Sequence, residues 1–278
     1  MGTGARDDPL AVLRPRAPGM WSVVALAYAT RMGVRGQHFL GHDERSQEPH
    51  PTAYFVWLAV SDHDVVLVDA GIGPSRAATM RGLHYSGSPV ELLTRAGVAP
   101  GDVGWSVLTH LHYDHTGVVG DLPSATYVVQ VSEWDYWTGP WAGRINRERW
   151  LHSAEDLAHL ASAQRLGRLR TVSGDVDLLP GLGVHLVGGH TAGMQVVRLR
   201  TSAGSVVLAS DASHFYGNLA EDRPAPILHC MPAVYGAFDR ITELADGADL
   251  IVPGHDPAVL DRYPPIWIGL PGRAVRIA

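Results

Sequence analysis

Apolar residues fall in short runs broken by glycine, proline and aspartate, a rhythm of many strands and few long helices. Strands are predicted over 23–30, 54–60 and 65–69. Another ends in the apolar run Trp105-Ser106-Val107-Leu108, and a further one covers 126–131. Paired strands follow at 175–179 with 184–187 and at 196–200 with 205–209, turning at Pro180-Gly181 and Ser202-Ala203-Gly204. A helix over 89–96 has Ser88 as cap and Gly97 as stop. A second over 153–166 carries Asp156 in its first turn, is apolar at Leu157, Leu160 and Ala161, and closes at Gly167. A last helix near 238–245 leads into a strand before His255. These elements form two similar mixed α/β halves with no low-complexity linker. Residues 21–278 therefore read as a single domain behind a flexible N-terminal tail, residues 1–20.

Two stretches break the rhythm. Residues 32–51, with Gly33, Gly36, His38, Gly41 and His42, read as a long insertion. Residues 132–150 carry Trp134, Tyr136, Trp137, Trp141 and Trp150. Such aromatic density reads first as packed helices or a dimer surface, and second as an apolar acyl or ring pocket.

The chemistry concentrates directly after the 105–108 run, in Thr109-His110-Leu111-His112-Tyr113-Asp114-His115-Thr116-Gly117. Neutral imidazole and carboxylate suit zinc and its neighbours. His110 and His112 share one side of an extended segment. Asp114 and His115 are adjacent and point apart, so one loop can serve two metal positions. A merely solvated polar loop is the plain alternative, but ligand types recur downstream at predicted strand ends. His190 follows Gly188-Gly189, Asp211 follows 205–210, and His255 follows Leu250-Ile251-Val252-Pro253-Gly254.

The ordered set His110, His112, Asp114, His115, His190, Asp211 and His255 resembles the metallo-β-lactamase superfamily. The strand and turn Val65-Val66-Leu67-Val68-Asp69-Ala70-Gly71 also match the family's early strand ending in Asp-x-Gly. The resemblance implies an αββα four-layer sandwich, two mixed β-sheets flanked by helices, with a dinuclear centre at one edge. It implies that His110, His112 and His190 hold one ion, that Asp114, His115 and His255 hold the other, and that Asp211 and a hydroxide bridge them. Asp69 would orient a ligand rather than bind metal. The ions would be divalent, zinc first, with manganese, iron or cobalt as alternatives.

Ligand identities narrow the group. Asp211 stands where some zinc β-lactamases use cysteine, and His112 where flavodiiron reductases use glutamate. In length and layout the chain is most similar to the N-acyl-homoserine lactonases, which implies lactone opening and quorum quenching. One departure is clear. Those lactonases commonly carry tyrosine three residues after the bridging aspartate, whereas here that position is His214, with Tyr216 two further on. An imidazole can donate a proton as a phenol does, with a pKa near neutrality. Asp114, His214 and Tyr216 are thus the candidate catalytic residues: Asp114 to pass a proton to the leaving alkoxide, His214 or Tyr216 to hold the oxyanion. Glyoxalase-II-like thioester hydrolysis and phosphodiester cleavage are the alternatives, with a mononuclear iron oxygenase or a metal-bound binding protein further off.

Composition supplies exclusions. All 22 basic residues are arginine, which removes Schiff-base and lysine-dependent phosphate-loop chemistry. Net charge is −6 with no basic run, which argues against nucleic acid, and Arg144-Ile145-Asn146-Arg147-Glu148-Arg149 reads as a solvated helix face. Cys230 has no cysteine partner and reads as a small buried apolar residue. The first twenty residues, with Arg6, Asp7, Asp8, Arg14 and Arg16, lack an apolar signal-peptide core, and no run is long enough to span a membrane. The expectation is a cytoplasmic enzyme acting on a small-molecule ester or lactone, with a homodimer as the assembly to test.

Overall fold

Alternation along residues 53–60 sends Ala53, Phe55, Trp57 and Ala59 to one side and Tyr54, Val56, Leu58 and Val60 to the other, and all eight are buried. A strand apolar on both faces must lie between two layers. A computed structural model of the chain describes residues 10–15, 17–266 and 269–278. In chain order its strands are β1 Ser22–Val34, β2 Pro49–Val60, β3 Val65–Val68, β4 Leu83–Tyr85, β5 Trp105–Val107, β6 Thr126–Gln130, β7 Leu169–Val172, β8 Val176–Leu179, β9 Leu182–Leu186, β10 Gln195–Thr201, β11 Gly204–Ser210, β12 Ile251–Pro253 and β13 Ala274–Arg276. One sheet has the order β13-β1-β2-β3-β5-β6-β7, with β4 paired to β1, and the other β12-β11-β10-β9-β8. Both mix parallel and antiparallel pairs.

The sheets face each other across Val23, Phe55, Trp57, Val66, Val107 and Val128 on one side and Val184, Val197, Leu199, Val206 and Leu208 on the other. Helices cover the outer faces. Leu92, Leu93 and Leu160 pack on the first sheet. The helix Met231–Leu244 lays Val234, Ala237, Phe238, Ile241 and Leu244 on the second. The spacing of those residues is that of one helical face. This is the expected αββα sandwich.

Several expectations differ in detail. The 32–51 stretch is not all loop: β1 runs on to Val34 and pairs with β2 from Pro49, so the insertion is the tip of a β-ribbon. The last helix starts at Met231, seven residues before its predicted edge, with Pro at its first turn, where a missing N–H costs nothing. Residues 132–150 lie on the helices Val131–Thr138 and Pro140–Arg144 and the turns after them, so the basic stretch from Arg144 is not a helix face. Cys230 is exposed rather than buried, because it caps the start of the Met231–Leu244 helix at the surface. Residues 1–9 and 16 of the expected tail, with Arg6, Asp7, Asp8 and Arg16, lie outside the described residues. Within the described part, Leu10 and Leu13 are buried in the first sheet's outer core and Arg14 donates to the carbonyl oxygens of Ser61 and Asp62. This stretch is therefore packed where a loose tail is expected.

Candidate metal centre and substrate cavity

Strands β3, β5, β11 and β12 all end at the same edge of the sandwich, and the chain turns polar at or just beyond their ends. β5 runs into Thr109, His110 and His112, and the short helix Tyr113–Thr116 follows with Asp114 and His115 in its single turn. β11 delivers Asp211, and β12 delivers His255 through Gly254. A Cβ at Gly254 would lie 2.5 Å from Asp211 Oδ1, so glycine is what lets the two strand ends meet. His190 sits on the turn after β9. There Gly189, at φ +85°, lies against the Val234 backbone, where a Cβ would be 2.6 Å from the amide nitrogen.

Asp211 is the hub. Its Oδ2 lies 3.4 Å from His190 Nε2 and 3.9 Å from His110 Nε2. Its Oδ1 lies 3.1 Å from His255 Nε2 and 3.5 Å from His115 Nε2. Asp114 stands 3.8 Å from both His115 Nε2 and His255 Nε2. The ligand atoms of His110, His112, His190 and Asp211 all fall within 4.8 Å of one another, as do those of Asp114, His115 and His255. All seven sequence-predicted ligand residues therefore meet at one place, in two groups with Asp211 between them, and His214 falls with Asp211 and His255 in a third such group.

Outer nitrogens are tied off, which aims the inner ones. His115 Nδ1 donates to Asp69 Oδ2 at 2.8 Å, His190 Nδ1 to the Ile227 carbonyl at 2.8 Å, and His255 Nδ1 to the Ala53 carbonyl at 2.9 Å. Thr109 Oγ1 donates to Asp69 Oδ2, so it can only accept from His110 Nδ1 at 3.1 Å. A neutral ring whose Nδ1 carries the proton presents a bare lone pair at Nε2. His110 Nε2, His115 Nε2 and Asp211 Oδ1 are buried without a hydrogen-bond partner. Buried acceptors left facing one another are costly unless a cation satisfies them. The residues fit a pair of divalent ions.

Electrostatics follow burial. Desolvation pulls His110 and His112 well below the usual imidazole range and His190 down to about 3, so these rings stay neutral. Burial acts the same way on His115, but the Asp69 and Asp211 carboxylates outweigh it and raise that ring. Burial would raise Asp211, yet the imidazoles of His255, His214 and His115 hold its carboxyl well below the usual range. Asp69 receives the Thr109 amide, the Thr109 and Ser210 hydroxyls and the His115 ring. Both Asp69 and Ser210 have positive φ, at 61° and 45°, which non-glycine residues adopt at a cost of order 1–3 kcal/mol. Their shared hydrogen bond fixes two strained strand ends beneath the ligands.

The other two candidates part company. His214 Nε2 lies 3.1 Å from Asp211 Oδ2, its ring stacks on His255 at 5.4 Å, and it lines the cavity. Tyr216 does not: its ring lies 3.7 Å under the Arg262 guanidinium and packs on the inter-sheet core, because the short helix starting there turns it away. Tyr216 is corrected to a packing residue.

The cavity over the cluster measures about 220 Å³, with Arg31, Gln37, His38, Thr52, Tyr54 and Trp150 in its walls. A second hollow of about 180 Å³ continues past His112 and His190 between Tyr136, Trp137, Trp150, Leu151, Ile227 and Leu228. The aromatic stretch is thus both core and pocket, since Trp134 and Trp137 are buried while Tyr136, Trp137 and Trp150 face the hollow. Sequence reasoning missed Glu133. Buried on the helix Val131–Thr138, it accepts the Leu111 and Gly193 amides and the Trp137 indole, tying the motif loop to the His190 turn. Its place three residues before Tyr136, inside an apolar helix, was the available signal.

A profile of the Metallo-beta-lactamase superfamily matches residues 50–255. The N-acyl homoserine lactonase AttM of Azorhizobium caulinodans is 31% identical over 234 residues, 74% of this chain and 82% of that protein. A crystal structure of a quorum-quenching N-acyl homoserine lactone lactonase superposes with TM-score 0.69 at 21% identity, covering 85% of this chain and 92% of the other. AidC, a dizinc quorum-quenching lactonase, superposes with TM-score 0.65 at 16% identity over 85% of this chain and 88% of its own. At those identities the two superpositions speak for the fold.

Proposed function

The chain belongs to the metallo-beta-lactamase superfamily, and from that premise we propose a dinuclear metal-dependent hydrolase that opens a lactone or related cyclic ester. The observation that carries the proposal is the two His/Asp groups with Asp211 in one and within 3.5 Å of His115 and His255 of the other, with orphaned inward-facing acceptors at the centre. His110, His112 and His190 would hold one ion, Asp114, His115 and His255 the other, and Asp211 both. When bound, two divalent ions, zinc first, supply a Lewis acid and a water acidified to near neutral pH.

The chain's own residues do the rest. Asp114, at the cavity floor, takes the proton of the attacking water and returns it to the leaving alkoxide, so the ring opens to a hydroxy acid. His214, with Nε2 beside Asp211, donates to the developing oxyanion, the part a phenol plays in the lactonases that this chain resembles. Trp150, Leu151 and Ile227 flank the reacting centre and exclude bulk water. The test is a hydrolysis screen of lactones, thioesters and phosphodiesters on metal-reconstituted protein. Lactone opening lost to a chelator and recovered on re-addition is the expected result. Turnover of thioesters or phosphodiesters with lactones inert would overturn the lactonase assignment.

A further inference from the structure

The walls of the cavity differ chemically, and the difference points to a substrate class. We propose that the preferred ester or lactone carries a carboxylate, received by Arg31 on the ribbon wall; this rests on the hydrolase reading above.

Arg31 and Thr52 are direct partners across β1 and β2, and Tyr54 is the next residue on Thr52's face. All three line the cavity that holds the ligand cluster, with Gln37 and His38 beside them. The Arg31 side chain stands beside Tyr54 in the cavity wall, and the Tyr54 ring in turn lies 5.1 Å from that of His255. Arg31 is therefore about one aromatic side chain away from the reacting centre.

Its charge is unspent. Among the described residues Arg31 forms no ion pair. The other cavity arginine, Arg147, is engaged: Nε lies 3.6 Å from Glu148 and Nη2 donates to the Leu228 carbonyl. The aromatic hollow thus presents apolar surface with its cation beside a carboxylate, while the ribbon wall presents a guanidinium with no ion pair among the described residues. His38 adds no second cation. Burial, with His214 and His50 close by, pushes its ring down to about 3, and its Nε2 contacts the Thr52 hydroxyl at 3.2 Å. A guanidinium backed by a hydroxyl and an amide is a carboxylate receptor, and its planar fork favours that geometry. The substrate would place its apolar part against Trp137 and Trp150, its ring ester over Asp211, and its carboxylate toward Arg31.

The experiment compares γ-carboxy-γ-butyrolactone with its carboxamide on zinc-reconstituted protein. The expected ratio of kcat/KM, acid over amide, is about tenfold, the size of one partly exposed charge-assisted hydrogen bond. The ratio should fall with added salt. Arg31→Gln should bring it near one, and Arg31→Lys should keep part of it, which mere loss of packing would not produce. A ratio unchanged in Arg31→Gln overturns the proposal. If neither lactone is opened, the hydrolase reading fails separately, and a binding assay decides Arg31. Tryptophan fluorescence titrated with α-hydroxyglutarate should show tighter binding than with γ-hydroxybutyrate, and Arg31→Gln should abolish the difference. Equal binding of both compounds to the native protein also overturns it.

Discussion

The motif loop and the cavity walls sit against each other and are built on opposite principles. In the loop and its support, residues 109–116 with Asp69, the outward ring nitrogens of His110 and His115 are spent on fixed buried partners. The walls are held from far away. Arg35 at the ribbon tip pairs with Asp43 at 2.7 Å and with Glu221, and Arg223 reaches the same Asp43 at 2.9 Å, so the segment bearing His38 depends on a loop some 180 residues downstream. Trp141 and Trp150 near the other wall stay about half exposed. The chemistry is fixed by short, dry contacts that tolerate little change. Recognition is fixed by charge pairs and rim aromatics that can vary without moving a ligand.

The largest expected effect tests whether the loop acts as one unit. Asp211 faces both ligand groups, so Asp211→Ala should empty both metal positions and take activity to background. Metal analysis should find about two ions per chain in the native protein and well under one in the variant. One tightly held ion with retained activity would break the dinuclear assignment.

His214 tests where the loop's chemistry ends and the wall begins. Loss of one oxyanion donor costs on the order of 10²–10³ in kcat. His214→Ala should show a loss of that order, with metal content unchanged. A fall in metal content with intact kcat per bound ion would make it a ligand instead.

A smaller effect is expected one layer further out. Asp69→Asn keeps an acceptor for Thr109 but turns an amide toward His115 or Ser210, and metal affinity should weaken about 10–100-fold. Chelator competition measures it directly. Unchanged affinity would mean that the strained Asp69 turn supports the fold and not the ligands.

This contrast also explains what could be read from the sequence. The seven candidate ligand residues are legible as a cluster because each closes a strand or opens a turn, where local pattern and local chemistry coincide. The core strands are legible for the same reason, as β2 shows by alternating faithfully from Ala53 to Val60. Glu133 and the Arg35–Asp43–Arg223 network are not, because their partners are brought close only by the tertiary fold. Tyr216 misleads for a related cause. It stands two residues beyond the position of the lactonase phenol, within apparent reach, but the helix beginning at that residue places the ring beneath Arg262. Cys230 misleads because its composition-based expectation ignores that a helix start lies there at the surface.

The smallest effect sharpens the comparison most. Trp150 is 48% exposed, borders both hollows, and its ring lies 6.2 Å from that of Tyr113 in the motif loop. Its half-buried indole offers apolar contact to substrate in ground state and transition state alike, so truncation removes uniform binding. Trp150→Ala should raise KM for apolar lactones by about three- to tenfold, a loss of roughly 1 kcal/mol, and leave kcat within a factor of about two. Metal content should be unchanged, since no ligand ring depends on it. The opposite result, lost ions or a collapsed kcat with KM intact, would show that the rim helps to hold the loop. The division between a rigid chemical edge and a variable recognition wall would then fail at the place where the two meet.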